Sequence, residues 1–352
     1  MEMSLKLKCE VFLVKKKIAV LGAGSFGTAL AKLISDRNDC DITLWSAVDQ
    51  EIKNIIRDKE NKKCLPGINI DIDRIKLTTC VEDILCADIV IFAVASNYVR
   101  KVAKQVSDYI KEGAVLVNVA KGLEQGSLKR LSEVICEEIK GHPFVALSGP
   151  SHAEEIARAV PTTVVVSSEN INTAKQIQDI LNSNIFRLYV NEDLVGVELG
   201  GALKNIIALA VGVCDGLNLG DNTKAALMTR GITEIGRLGV AMGAKNQTFA
   251  GLSGIGDLIV TCTSMHSRNR RAGILIGKGK SSSEAIEEVG MTVEGYFATK
   301  AAYELGKREN VCMPITEQLY KVLYENGNIE EALNSLMSRP VKHESEKFWF
   351  DN

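Results

Sequence analysis

Two lysines and one aspartate stand in sequence contexts suited to proton transfer, and the first of them is Lys204. It lies near the middle of an almost wholly apolar run, DLVGVELGGALKNIIALAVGVC at 193–214. Its helical neighbours three and four residues away include no acid, so any counter-charge must come from elsewhere. Burial lowers the pKa of a lysine from about 10.4 toward roughly 7 to 8, which suits a general acid/base. The alternative is a lysine whose stem follows the helix and whose ammonium group reaches water.

Lys121 and Asp257 are the other two candidates. Lys121 follows the apolar run AVLVNVA (114–120), and a cation there suits an anionic or carbonyl-bearing substrate; an exposed loop lysine is the alternative. Asp257 follows the glycine-rich stretch GLSGIG (251–256). A nearby aspartate opposes a fall in the pKa of Lys204, and a tight ion pair would hold that pKa too high. We therefore expect Asp257 to hydrogen-bond and orient, and Lys121 to supply a like charge.

A basic cluster, Ser267-Arg268-Asn269-Arg270-Arg271, follows shortly after Asp257. Arginine forks bind phosphate oxygens bidentately, and serine and asparagine complete such a site. A solvated helix face is the alternative interpretation of such a run. The glycine-rich motif described next favours the phosphate-binding interpretation.

The first strand, IAVL (18–21), leads directly into Gly22-Ala23-Gly24-Ser25-Phe26-Gly27 and then a helix. This is the GxGxxG fingerprint in its required strand–turn–helix context, where glycines permit a tight turn and the helix N-terminus binds a pyrophosphate. A purely structural glycine-rich turn is the alternative. The second strand ends in Leu44-Trp45-Ser46-Ala47, without the acid typical of an NAD-preferring site. NADP(H) is therefore admissible beside NAD(H), and we expect NADPH to be favoured.

Strands alternate with helices from Lys17 to Asn191, which predicts a doubly wound, mainly parallel Rossmann-type sheet. Ligands of such sheets bind beyond the carboxyl ends of the strands, where Ser96, Lys121 and Gly149 stand. After Asn191 the pattern becomes helical throughout, which predicts an all-α second domain. We expect an N-terminal extension at 1–15, a dinucleotide-binding domain at 16–191 and a helical substrate domain at 192–352. The predicted strands are 18–21, 42–45, 88–94, 114–120, 144–149, 162–168 and 186–190, with helices from Ser25 and Asp49 and near 127–139, 171–183 and 193–214.

Composition excludes several classes of protein. Among 352 residues, 42 lysines and arginines balance 44 acids, so no global field favours nucleic acid or an anionic membrane. Glu198, Lys204 and Asn205 would be costly in lipid, so 193–214 predicts a buried core helix rather than a membrane span. Nine cysteines without a CxxC pair indicate reduced thiols in a cytoplasm. The N-terminus lacks a signal-peptide pattern, and the spacing of the four histidines supports neither a metal site nor a histidine acid/base.

Taken together, the motifs resemble those of the NAD(P)-dependent sn-glycerol-3-phosphate dehydrogenase family of the bacterial type, nearly end to end. The resemblance implies interconversion of dihydroxyacetone phosphate and sn-glycerol 3-phosphate for glycerophospholipid synthesis, and a homodimer. The motifs that carry it are IAVLGAGSFGTALA (18–31), AKGLE (120–124), LSGPSHAEE (147–155), VGVELGGALKNIIALAVGVCDG (195–216), GLSGIGDLIVTCTSMHSRNRR (251–271), TVEGY (292–296) and MPITEQLY (313–320).

Residue roles follow from the matching positions. The resemblance makes Lys204 the general acid/base, with Lys121 and Asp257 beside it in the catalytic group. Substrate contacts are expected from Lys121, Gly149, Ser151, Asn205, Asp257, Thr261, Ser267, Arg268 and Asn269. Cofactor contacts are expected from Gly22, Gly24, Ser25, Phe26, Gly27, Ser46, Ser96, Lys121, Ala153, Arg268, Thr292 and Glu294.

Two other functions remain open from the sequence. One is a different Rossmann hydroxyacid-type dehydrogenase, such as a 6-phosphogluconate or 3-hydroxyacyl-CoA enzyme; the absence of histidine near Lys204 and the basic cluster disfavour an acyl-CoA enzyme. The other is a regulatory protein that senses NAD(P) without turnover, which would leave a lysine in an apolar helix without a purpose.

Overall fold

The computed structural model describes residues 15–37, 39–341 and 343–344. The predicted extension at 1–15 falls almost wholly outside them, since residues 1–14 are not among the described residues. The strands are β1 (Lys16–Leu21), β2 (Cys40–Trp45), β3 (Glu60–Asn61), β4 (Leu65–Asn69), β5 (Ile75–Thr78), β6 (Ile89–Phe92), β7 (Val115–Asn118), β8 (Phe144–Ser148), β9 (Thr162–Ser167) and β10 (Phe186–Asn191). Helices of the same part are α1 (Ser25–Arg37), α2 (Asp49–Asp58), α3 (Val99–Val106), α4 (Leu131–Glu138), α5 (Ala153–Ala157) and α6 (Ile171–Leu181).

Eight strands form one sheet in the order β10-β9-β8-β7-β6-β1-β2-β5. Neighbouring strands pair in parallel except β8 and β9, which pair antiparallel. Buried apolar residues cover both faces of the sheet, as continuous apolar strands such as IVIF require. The predicted mainly parallel Rossmann-type sheet is confirmed. The sequence prediction missed β3, β4, β5, α3 and α5.

Beyond Asn191 the described part of the chain consists of helices joined by turns and loops, and none of its residues lies in a strand. Its helices are α7 (Leu194–Gly216), α8 (Asp221–Ala241), α9 (Asn246–Phe249), α10 (Asp257–Thr263), α11 (Arg268–Gly277), α12 (Ser282–Val289), α13 (Glu294–Arg308), α14 (Pro314–Tyr324) and α15 (Ile329–Met337), and a single π-helical turn at Leu252–Gly256 precedes α10. The predicted all-α second part is confirmed.

Helix α7 is the centre of the helical part, and all of its residues except Val195, Glu198 and Asp215 are buried. It is long and apolar enough to span a membrane, yet 89% of its most apolar window is covered by the protein. Glu198 accepts hydrogen bonds from the Ser132 backbone N–H at 2.8 Å and the Arg130 Nη1 at 2.8 Å. The predicted buried core helix is therefore confirmed, and the acid in its first half, Glu198, is paired near the start of α4.

Glycines bring α7 and α11 into backbone contact. A Cβ atom on Gly212 would lie 2.2 Å from the Arg270 carbonyl oxygen, and one on Gly273 would lie 2.1 Å from the Leu209 carbonyl oxygen. About three turns nearer the N-terminus of α7, a Cβ on Gly201 would lie 2.6 Å from the Ser148 Oγ, at the end of β8. The absence of side chains at these points lets α7 pack closely against both α11 and the carboxyl edge of the sheet.

Candidate active site

A cleft of about 1020 Å³ lies between the carboxyl ends of the sheet strands and helices α7, α10, α11 and α13. The loops after β1, β2, β6 and β7 form one wall, and the helical part forms the other. Ligands of doubly wound sheets bind at this edge, because the loops after parallel strands converge there. The cleft therefore lies where the sequence predicts a binding site.

The turn after β1 has the geometry of a pyrophosphate cradle. Gly22 has a φ of 118°, and a Cβ atom on Gly27 would lie 2.0 Å from the Gly22 carbonyl oxygen, so both positions require glycine. A Cβ on Gly24 would meet no atom within 4 Å, which leaves room for a ligand to approach the backbone. Helix α1 begins at Ser25, and its first-turn N–H groups lack intrahelical acceptors. These residues fit a dinucleotide.

Asp257 lies between the two candidate lysines. Its Oδ1 accepts a hydrogen bond from the Lys204 Nζ at 2.8 Å, and its Oδ2 accepts one from the Lys121 Nζ at 2.7 Å. The Thr261 Oγ1, one turn along α10, also accepts a bond from the Lys204 Nζ at 2.5 Å. Residues separated by 53 and 136 positions in the sequence are thus joined at one carboxylate.

The pKa of Lys204 is lowered to about 8. Burial of its ammonium group is the largest cause, since Lys204 is only 5% exposed; Asp257 raises the pKa again, and Lys121 lowers it as a like charge. The predicted pKa fall and the effect of Lys121 are therefore confirmed. The expectation that Lys204 would avoid a tight ion pair is wrong. Burial outweighs the ion pair, and Asp257 divides its charge between two lysines.

Lys121 is held at the end of the loop after β7 by two further contacts. Its Nζ donates to the Gly149 carbonyl oxygen at 2.8 Å and to the Ser151 Oγ at 3.1 Å. It is therefore fixed between the loops that follow β7 and β8 and faces Asp257 of the helical part. The alternative of an exposed loop lysine does not hold, because the Lys121 side chain is 19% exposed.

The basic cluster divides at the start of α11. Ser267 is the N-cap, and its Oγ accepts a hydrogen bond from the Arg270 backbone N–H at 3.2 Å. Asn269 donates to the Asn205 Oδ1 at 2.9 Å and accepts from the Gly295 N–H at 2.8 Å, which joins α7, α11 and α13. Arg268 lines the cleft beside the cap.

The other two arginines of the cluster have different roles. Arg270 donates from its Nε to the Asp215 Oδ2 at 2.7 Å and so secures α11 to α7. Arg271 is exposed on the helix surface. The solvated-face interpretation thus applies to Arg271, and the cleft receives Ser267, Arg268 and Asn269.

Ser96 and Glu294 connect the sheet to α13. The Ser96 Oγ and backbone N–H donate to the two carboxylate oxygens of Glu294 at 2.6 and 3.1 Å. Burial raises the pKa of Glu294 above its ordinary value, although the contacts with Ser96 oppose the rise. This pair closes the cleft where the loop after β6 meets the helical part.

Most of the predicted site residues come together in the cleft, and four do not line it. Gly27 packs beneath Gly22, Ser96 lies behind Glu294, Gly149 offers its carbonyl to Lys121, and Ala153 is a buried core residue at the start of α5. Those that line the cleft are Gly22, Gly24, Ser25, Phe26, Ser46, Lys121, Ser151, Lys204, Asn205, Asp257, Thr261, Ser267, Arg268, Asn269, Thr292 and Glu294.

The sequence analysis did not single out two titratable side chains that line the cleft, Glu51 and His152. Glu51 lies in the first turn of α2, and its Oε2 accepts a hydrogen bond from the Ser46 Oγ at 2.7 Å. His152 also lines the cleft, and burial lowers the pKa of its imidazole, with Lys204 as a further cause. The available signal for Glu51 was an acid in the first turn of the helix that follows the second strand; His152 had only its place in LSGPSHAEE. No group of three or more metal-ligating side chains occurs within the described ranges.

Comparison with known proteins gives the family. Residues 17–174 match the model of the NAD-dependent glycerol-3-phosphate dehydrogenase N-terminus, and residues 193–334 match that of its C-terminus. The chain is 53% identical over 335 residues to glycerol-3-phosphate dehydrogenase [NAD(P)+] of Pelotomaculum thermopropionicum, covering 94% of this chain and 95% of that one. It is 50% identical over 328 residues to the protein of the same name from Clostridium perfringens, covering 93% and 99%.

A solved structure agrees with these relatives. The crystal structure of glycerol-3-phosphate dehydrogenase from Coxiella burnetii superposes with a TM-score of 0.88 at 36% identity, covering 92% of this chain and 99% of that one. Both parts of the chain therefore match the same family of NAD(P)-dependent oxidoreductases in sequence and in fold. The chain belongs to the NAD-dependent glycerol-3-phosphate dehydrogenase family.

Proposed function

We propose that this protein catalyses the reversible, NAD(P)H-dependent reduction of dihydroxyacetone phosphate to sn-glycerol 3-phosphate. The observation that carries the proposal is Lys204, a buried lysine with a pKa of about 8 that lines the same cleft as the glycine turn. Reduction of a ketone requires a proton donor for the developing alkoxide, and a donor with a pKa near the working pH is the most effective.

Lys204, positioned by Asp257 and Thr261, would transfer the proton to and from the substrate oxygen. When bound, the nicotinamide dinucleotide supplies the hydride for the carbonyl carbon. Protonated Lys204 donates its proton to the carbonyl oxygen in reduction, and neutral Lys204 accepts it from the alcohol in oxidation. Asp257 and Thr261 hold the Nζ in one direction through the bonds at 2.8 and 2.5 Å. Lys121 adds positive charge beside the oxygen on which negative charge develops.

The start of α11 is the proposed phosphate site. Ser267 caps the helix by accepting the Arg270 N–H, so the Arg268 and Asn269 N–H groups of the first turn and the Arg268 guanidinium are the donors offered to a dianion. Asn205 and Asn269, which are bonded to each other, complete this side of the cleft next to Lys204. A phosphate held here fixes the ketone near the lysine and converts binding energy into orientation.

The cofactor would occupy the opposite side of the cleft. Gly22, Gly24, Ser25 and Phe26 form the pyrophosphate cradle, which supports the same assignment for the fingerprint. We assign Ser46, Thr292 and the Ser96–Glu294 pair to the remainder of the cofactor site. Gly149 and Ser151 act through Lys121, and the roles of Gly27 and Ala153 are to support the turn and the wall behind it.

A spectrophotometric assay tests the proposal. Purified protein is mixed with dihydroxyacetone phosphate and either NADH or NADPH, and loss of absorbance of the reduced nucleotide is followed. We expect turnover with at least one nucleotide, and we expect Lys204→Ala to reduce kcat by about 10²- to 10⁴-fold, the range for a lost general acid. Lys278→Ala, which removes an exposed lysine at the end of α11, serves as the matched control. Absence of turnover with both nucleotides refutes the proposal, and near-normal turnover of Lys204→Ala refutes the role of that lysine.

The cellular location, the use of the product, the domain division and the assembly of the enzyme are part of the same proposal. We place the enzyme in the cytoplasm, supported by the free state of the eight cysteines within the described residues, and assign its product to glycerophospholipid synthesis. We retain the division into 16–191 and 192–352, supported by the end of the last strand at Asn191 and the start of α7 at Leu194. The proposed assembly is a homodimer, which light scattering during size-exclusion chromatography tests directly.

A further inference from the structure

We infer that Glu51 makes this enzyme select NADH over NADPH. This inference rests on the proposed function, since it requires that the cleft hold the dinucleotide. It reverses the preference expected from the strand end alone, where Leu44-Trp45-Ser46-Ala47 contains no acid. The structure supplies that acid from the next helix.

Ser46 and Glu51 form one unit at the end of β2. The Ser46 Oγ donates to the Glu51 Oε2 at 2.7 Å and accepts a hydrogen bond from the Val48 backbone N–H at 3.1 Å. A hydroxyl has a single hydrogen, so a serine that donates to a carboxylate cannot also donate to a phosphate. The Ser46 backbone N–H is also engaged, donating to the Thr78 carbonyl oxygen at 3.1 Å.

The unit lies where Rossmann domains meet the adenosine ribose. Ser46, Ala47, Val48 and Glu51 line the same cleft as the glycine turn, and β2 is the strand adjacent to β1 in the sheet. In this fold an acid after the second strand accepts hydrogen bonds from the ribose 2′-hydroxyl. Glu51 is half-buried and its Oε2 is fixed by Ser46, so its carboxylate is directed by the protein and not free to swing into water.

A carboxylate in this position favours a hydroxyl and opposes a phosphate. It can accept hydrogen bonds from ribose hydroxyls through its remaining lone pairs, whereas a 2′-phosphate would place a dianion beside it. Both basic residues of α2 already pair with acids close by on the same helix, Lys53 with Asp49 and Arg57 with Asp58. They therefore do not offset the charge of Glu51.

Lys63 and Arg268 are the cations that could act in the opposite sense, since both line the cleft and both act on the Cys64 thiol together with Glu51; Arg268 is the residue proposed to bind the substrate phosphate, which leaves Lys63. It is exposed and lines the cleft near Glu51, and its charge and that of Glu51 both act on the neighbouring Cys64 thiol. An exposed lysine is well screened by water, so we expect Glu51 to determine the selectivity. The experiment therefore includes both residues.

Calorimetric titration of the full-length protein with NADH, NADPH, ADP-ribose and 2′-phospho-ADP-ribose tests the inference without turnover. We expect the wild-type protein to bind each non-phosphorylated compound more tightly, by on the order of 100-fold. Glu51→Gln preserves the size of the side chain and removes its charge, so the ratio should narrow to less than about tenfold, chiefly through tighter binding of the phosphorylated compounds. Lys63→Ala should leave the ratio unchanged.

Three results of these titrations would overturn the inference. Equal or tighter binding of NADPH by the wild-type protein, an unchanged ratio in Glu51→Gln, or a selective loss of NADPH binding in Lys63→Ala would each exclude Glu51 as the selector. These results leave the proposed function intact, because the protein would still bind a dinucleotide and reduce the ketone. Failure of the wild-type protein to bind any of the four compounds would remove the inference and the proposed function together. Thermal unfolding midpoints of both variants confirm that they are folded.

In steady-state assays, selectivity by Glu51 should appear in the KM for the nucleotide and not in kcat. Glu51 contacts the end of the cleft near β2, whereas Lys204 is contributed by α7, so saturating NADPH should support turnover close to that with NADH. A variant that lowered kcat equally with both nucleotides would indicate a structural role for Glu51 and would overturn the inference.

Discussion

Replacing Asp257 with asparagine should shift the pH dependence of ketone reduction toward acid. Asp257 is the main group that raises the pKa of Lys204 against burial, through the contact at 2.8 Å. Asparagine keeps the shape and can still accept a hydrogen bond, but it leaves Lys204 and Lys121 as two cations without the carboxylate between them. Both consequences disfavour the protonated form of Lys204.

The size of the shift follows from the pKa. An opposite charge at contact distance raises the pKa of a cation by about 1 to 3 units, so the pKa of Lys204 should fall from about 8 to roughly 5–7. At pH 7.5 a lysine with a pKa of about 8 is roughly three-quarters protonated, and one with a pKa of about 6 is roughly 3% protonated. Reduction requires the protonated form, so kcat/KM at that pH should fall about 25-fold from titration alone.

The assay is a pH profile of kcat/KM for dihydroxyacetone phosphate from about pH 5 to pH 9.5, with unfolding midpoints measured alongside. A loss of geometry would lower activity equally at every pH, whereas a titration effect shrinks toward pH 5. Thr261→Val is the control, because it removes a neutral partner of Lys204 and should shift the midpoint less than Asp257→Asn. An Asp257→Asn midpoint at or above the wild-type value would refute the assignment of Lys204 as the titrating proton donor.

Three further outcomes follow from the same contacts. Oxidation of glycerol 3-phosphate should speed up as pH rises through about 8, because neutral Lys204 accepts the proton; a rate profile measured with NAD+ checks the direction. Gly27→Ala should destabilise the protein by about 1–3 kcal/mol and weaken nucleotide binding, since the new methyl group overlaps the Gly22 carbonyl oxygen, as urea unfolding and titration will register. Glu198→Ala should cost about 1–3 kcal/mol in unfolding free energy, because the Ser132 N–H loses its acceptor and Arg130 keeps only the longer ion pair with Glu133; wild-type-like urea denaturation would contradict this.

The sheet could be predicted because its central strands are continuous apolar runs between helices. Such runs require burial on both faces, which only a doubly wound sheet provides here. The strands that escaped prediction are not continuous apolar runs: β4 contains Pro66 and Gly67, and β5, at the edge of the sheet, has the sequence IKLT with a lysine in it. Whether these segments pair as strands depends on the segments that lie beside them in the fold, and their own residue pattern does not indicate it.

The candidate site also has features that the sequence predicts and features that depend on contacts between distant segments. Lys204 could be singled out because a charge in an apolar helix is locally conspicuous, and burial is the largest cause of the fall in its pKa. Asp257 was expected to hydrogen-bond and orient, but its direct ion pair with Lys204 did not follow from the helical neighbours of Lys204, because the partner stands on α10. Glu51 was missed for a related reason. The prediction looked for an acid in the residues that end β2, and the fold brings one from α2 instead.

The close contact of α7 with α11 fixes the distance between Lys204 and the proposed phosphate site. Lys204 stands on one helix and the proposed phosphate site on the other, and the two backbones touch at Gly212 and Gly273, where neither helix has a side chain that could yield. The spacing between proton donor and phosphate is therefore set by main-chain contact, which deforms far less readily than rotatable side chains. The distance between phosphate and carbonyl in a substrate must match this spacing. Phosphorylated ketones whose carbonyl lies farther from the phosphate should therefore be poor substrates, even where the cleft has room for them.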